Sequence, residues 1–140
     1  MNELQQQQAS FKFGVVSAID ESGVKARVRF DDLDGLESMF LPIAVQKSFK
    51  DKSYWMLDVG EHVACLMDAN AESGVILCSV YSEADLPPVT NKDKRHVRFD
   101  DGTTIEYDRA EHQLTIQCVG NIEIKATGNL SLTAARIDLN

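Results

Sequence analysis

The segment Gly120 to Asn140, GNIEIKATGNLSLTAARIDLN, limits what this chain can fold into more than any other stretch. It sets Ile122 with Ile124, Leu130 with Leu132 and Ile137 with Leu139, each pair bracketing one polar residue. Leu114-Thr115-Ile116 begins the series, and the four starts fall 8, 8 and 7 residues apart. Gly120-Asn121 and Gly128-Asn129 occupy equivalent turns, and Ala135-Arg136 stands in the third. A period this short, with small residues at the turns, marks a repeat architecture. Successive side chains of a strand point to opposite faces, so each three-residue strand has one apolar face.

A ribbon of such strands cannot cover that face alone. Ordering the backbone costs ~1–2 kcal/mol per residue. An Ile or Leu returns ~1.5–3 kcal/mol only when fully covered. Open lateral edges also invite further pairing. Three copies around a threefold axis close both gaps, because the apolar residues point inward and each edge meets a neighbouring chain. Two chains would leave a flat zipper with edges, and more than three would need a wider core than single Ile and Leu rows fill. The expectation is an intertwined trimeric β-helix or β-prism over residues 97–140. Its core is Leu114, Ile116, Ile122, Ile124, Leu130, Leu132, Ile137 and Leu139, with Thr115, Glu123, Lys125, Ser131, Thr133 and Asp138 toward solvent. Three copies of Ile137, Asp138, Leu139 and Asn140 are expected to form a blunt tip with apolar side chains and unpaired edges, a surface for a separate capping protein.

Upstream the pattern is different but still all-β. FKFGVVSAI from Phe11 is rich in β-branched residues and ends at the turn Asp20-Glu21-Ser22-Gly23. Val24, Ala26, Val28 and Phe30 alternate with Lys25, Arg27 and Arg29, giving a strand with a basic outer face. After the turn Asp31 to Gly35, SMFLPIAV reads as a third strand, with Pro42 at an edge or bulge. Residues 46–60 read as a long loop or short helix that packs Tyr54 and Trp55 on the core. HVACLM and VILCSVY, separated by a turn at Asn70 to Gly74, complete five strands. This count and the longer connection after the third strand fit a small closed barrel, an OB-fold, over residues 13–86. Residues 1–12 read as a flexible or docking arm. Their glutamine run has neither the cationic nor the apolar part of a secretory signal. Pro87-Pro88 opens a linker over residues 87–96. Asp101-Gly102, between two alternating runs, signals a hairpin.

Composition narrows the chemistry. The net charge of −8 repels a phosphate backbone over most of the surface, with KDKRHVR (Lys92 to Arg98) as the main basic run. Cys65, Cys78 and Cys118 are widely spaced, with no CxxC, and read as buried free thiols. His62, His96 and His112 stand alone, so no metal spacing exists; only His112 falls among the tail strands, where a threefold axis would triple it. The carboxylates of Asp31, Asp32 and Asp34, and of Asp100 and Asp101, sit at turns, where Asp is favoured for its backbone hydrogen bonds. No Gly-rich phosphate loop or nucleophile elbow occurs. No catalytic residue and no enzymatic role is expected. VRFDD occurs at Val28 and again at Val97, as two similar hairpin entries.

The ordered set GVVSAID, VRFDDLDG, SMFLPI, Trp55 with Gly60-Glu61-x-Val63, GVILCSVYS and DDGTTIEYD, followed by short Ile/Leu strands, resembles the baseplate assembly protein V family. These are the central tail spikes of contractile-tailed phages, similar also to type VI secretion spikes. The resemblance covers roughly residues 11–140. It implies a homotrimeric virion protein at the tip of the tail baseplate, assembled in the host cytoplasm. Its OB domain would dock to the baseplate hub protein, and its needle would pierce the host outer membrane when the sheath contracts. Several members end in a His-x-His pair that binds iron on the axis; this sequence has no such pair, so no metal or other cofactor is expected. The inserted lysozyme domain of some larger relatives is also missing from this sequence. The tip cap would be of the PAAR-repeat kind. Two alternatives stay open: a type VI secretion-like spike or tip protein, and an OB-fold nucleic-acid-binding module, although no nucleic-acid partner is expected.

Overall fold

A computed structural model of the chain describes residues 8–140. It is all-β, and the described residues include no α-helix. The chain divides between Leu86 and Pro87 into two units.

The N-terminal unit is one curled sheet. Its strands are β1 (Ser10–Asp20), β2 (Lys25–Phe30), β3 (Leu36–Glu37), β4 (Leu41–Pro42), β5 (His62–Met67) and β6 (Gly74–Ser79). They run in the order β3-β2-β1-β5-β6, with β4 also on β2. The sheet then closes: Ile43 bridges Ile76 in parallel, and the Ala44 amide donates to the Ile76 carbonyl at 2.8 Å. Two bulges sharpen the curl, because an extra residue on one strand bends it and raises its twist. Ser17 is the extra residue on β1 and Leu77 on β6.

The alternation read from β2 is borne out. Ala26, Val28 and Phe30 are fully buried, and Lys25, Arg27 and Arg29 are exposed. Val16, Leu41, Val63, Cys65, Met67 and Ile76 complete the core, with Ile19, Leu33, Ile43 and Leu57 packed against it. Each such side chain contributes ~1.5–3 kcal/mol on burial, and together they fix the barrel.

Four expectations need correction or comment. The third strand is broken into β3 and β4, because Ser38 enters the barrel wall. Its amide donates to the Val28 carbonyl at 2.8 Å, and its hydroxyl accepts from the Val28 amide at 3.0 Å while donating to the Met39 carbonyl at 2.7 Å. One side chain thus replaces a rung of the ladder. The connection from Ala44 to Glu61 holds no helix, and Tyr54 and Trp55 do not pack on the core: they are 62 % and 75 % exposed. Leu57 takes that place. Of the thiols only Cys65 is buried; Cys78 is exposed, on the outward side of β6, and Cys118 is half-buried. Most of the expected arm, residues 1–7, lies outside the described residues, and Ser10 to Lys12 already belong to β1.

The C-terminal unit opens with a three-stranded antiparallel sheet, β7 (Lys94–Arg98), β8 (Thr104–Asp108) and β9 (Gln113–Gln117). Asp101-Gly102 makes the first turn as the sequence implied. Phe99 and Thr103 close it (Phe99 amide to Thr103 carbonyl, 2.9 Å), and Gly102 adopts φ 94°, a region glycine enters without steric cost. From Cys118 to Asn140 the chain forms no strand with itself.

Candidate functional site

The candidate site of this chain is an uncovered surface. In an antiparallel sheet, residues directly opposite one another share a face. The register sets Val97 opposite Ile105 and Ile105 opposite Ile116, then Arg95 opposite Tyr107 and Tyr107 opposite Leu114. Apart from Arg95 this face is apolar and open: Ile105, Tyr107, Leu114 and Ile116 are all exposed. The other face carries Lys94, His96, Glu106 and Thr115. There His96 Nδ1 lies 2.9 Å from Glu106 Oε1, and Lys94 Nζ lies 3.4 Å from the same oxygen. The His96 hydrogen bond, followed by the Lys94 charge, holds the Glu106 carboxyl below its ordinary value.

The apolar rows continue past β9. Ile122, Ile124, Leu130, Leu132, Ile137 and Leu139 are exposed by 52 % (Ile137) to 89 % (Leu139). Polar residues alternate with them, and two charged pairs form between positions two apart. Lys125 Nζ meets Glu123 Oε1 at 2.8 Å, and Arg136 Nε meets Asp138 Oδ1 at 2.8 Å. Side chains at i and i+2 of an extended segment share a side. The other side is left to the Ile and Leu residues. Gly120 and Gly128 have open space where a side chain would stand.

The remaining candidates separate into structural parts. Among the described residues no three His, Cys, Asp or Glu gather as metal ligands. His112 is not on a strand: it stands exposed at φ 55° in the turn between β8 and β9. Asp31 pairs with Arg29 at 3.0 Å and Asp32 with Lys12 at 3.2 Å. Asp34 holds the left-handed position after the short 3-10 turn Asp31–Leu33. Asp101 accepts the Thr103 amide at 2.9 Å, which keeps its carboxyl below the ordinary value. The basic face of β2 is partly neutralised, with Arg27 3.9 Å from Glu37 and stacked 4.9 Å over the Phe40 ring. In the run Lys92 to Arg98, Lys92 pairs with Asp93 and Lys94 with Glu106.

Sequence reasoning missed what Gly60-Glu61 does. Gly60, at φ 98°, donates its amide to the Val16 carbonyl at 2.8 Å. The Glu61 carboxylate accepts from the Asp58 amide at 3.0 Å and from the Ser79 hydroxyl. It ties the long loop to β6. A Gly-Glu pair before a strand gives no sign of so distant a partner.

No family model matches the chain. Over 121 residues it is 25 % identical to the spike protein of Escherichia phage P2. This chain resembles a phage spike. The match takes in 86 % of the chain and 56 % of that spike protein, so the chain spans little more than half the length of this relative. The resemblance drawn from the ordered motifs is thus borne out. The spike likeness also falls on a chain with the expected all-β composition.

Proposed function

We propose that this protein is a structural component of a phage tail: a homotrimeric central spike at the baseplate tip. In this reading the N-terminal barrel is an OB-fold that docks to the baseplate hub. The C-terminal unit is one third of an intertwined β-prism that pierces the host outer membrane. The barrel reading is supported by the path of the sheet, in which β1 pairs with both β2 and β5 and the ends meet through the parallel bridge at Ile43 and Ile76.

The observation that carries the proposal is the uncovered apolar row from Leu114 to Leu139 with its ion pairs on the alternate side. A single chain leaves these side chains in water at no gain. Three copies bury them along one axis, and the result is stiff under an axial load. The work asked of such a part is mechanical, and it needs strength along the axis without bond chemistry. Immunogold electron microscopy of phage particles, with antibody raised against the barrel unit, tests the role. Gold at the distal end of the tail is expected. Particles that label on the head, or purified particles that lack the protein, would refute it.

A further inference from the structure

We infer that the N-terminal unit carries a docking cleft for a lysine- or arginine-bearing segment of a partner protein. The cleft, about 570 Å³, lies between the loop Trp55 to Asp58 and the strand end Ser79 to Tyr81, with Asp85 also in its wall. That volume suits a few side chains of a peptide. Its apolar lining comes from Met56, Leu57 and Val80.

Two features point to a cationic occupant, and a third to a preformed site. The first is aromatic. Trp55 and Tyr81 flank the cleft, 75 % and 67 % exposed, although the core lies close by and holds Leu57. Large aromatics presented to water around a concavity mark a contact surface, and their faces attract Lys and Arg side chains. The second is charge. Asp58, Glu61 and Asp85 line the cleft, and no Lys, Arg or His does. Glu61 is occupied with the Asp58 amide and the Ser79 hydroxyl. Asp58 and Asp85 form no ion pair among the described residues, so two carboxylates beside the aromatic rings are left for a partner's cation. The third is rigidity. Glu61 joins one wall to the other, so the cleft exists before anything binds and little ordering cost is added. Every wall residue belongs to the N-terminal unit.

Trp55 is the single tryptophan of the chain, so its fluorescence reports on this cleft alone. The full chain is titrated with the peptide acetyl-Leu-Arg-Leu-amide and with the neutral isostere acetyl-Leu-citrulline-Leu-amide. The arginine peptide is expected to change Trp55 emission saturably, and the citrulline peptide to bind up to about fivefold more weakly, the loss expected for one exposed charge contact. The double variant Asp58→Asn/Asp85→Asn should lose the same preference while melting at the parent temperature. Equal binding of both peptides, or no saturable response at low millimolar peptide, overturns the inference. If the double variant melts early, the comparison of the two peptides on the parent chain decides alone.

Discussion

Phe30 and Phe99 occupy the same place in two copies of VRFDD and meet opposite fates. Phe30 is fully buried inside the barrel, whereas Phe99 is 41 % exposed at the mouth of a hairpin. The five letters are equal; what differs is the strand that faces them. β2 lies inside a closed sheet, while β7 is the edge of a three-stranded one. Phe30→Ala should therefore cost ~3–5 kcal/mol in urea denaturation, as a buried aromatic does when its cavity cannot collapse. Phe99→Ala, at a partly exposed side chain, should cost less, under ~1 kcal/mol. Equal losses at both sites would mean that the barrel core is drawn wrongly. Ser38 makes the complementary point. A serine in a run of strand-forming residues looks harmless, yet its side chain stands in for a ladder partner and breaks the strand.

At the scale of elements, the legible parts were those whose evidence is local. β2 shows period two, β5 and β6 are short apolar runs bounded by turn residues, and Asp-Gly fixes the hairpin between β7 and β8. The illegible parts depend on distant partners. Nothing local says that Leu57 rather than Trp55 packs on the core, or that Glu61 reaches Ser79. The apolar rows after β9 were legible as rows, but no strand partner for them exists among the described residues. Turns were legible in composition, and their chemistry carries a pH dependence. Asp20 is held below its ordinary value first by the Ser22 hydroxyl, Asp68 by the Glu72 amide and Asp101 by the Thr103 amide. A carboxyl with a depressed folded pKa adds stability above its unfolded value near 3.8, and that stability is lost as pH falls through the lower folded value. The melting temperature should thus fall below about pH 4. Asn at all three positions keeps the acceptor but removes the titration, so the triple variant should show a shallower decline. An unchanged slope would assign acid sensitivity to other groups.

For the whole molecule, the account turns on covering the row from Leu114 to Leu139. The segment exposes eight Ile and Leu side chains, paired on alternate positions, and an apolar row of that size marks an interaction surface. Charges on the intervening positions pair locally and keep the outer side soluble. In the proposed spike, three identical chains bury one row from each. The most direct measurement is the mass in solution by multi-angle light scattering at micromolar concentration, for the parent and for Ile124→Asp. The parent should have three times the chain mass of 15.6 kDa. Ile124→Asp would set three carboxylates together on a dry axis, which costs several kcal/mol, and should abolish the trimer. A parent that runs as a monomer, or an Ile124→Asp protein that stays trimeric and as stable as the parent, contradicts the account.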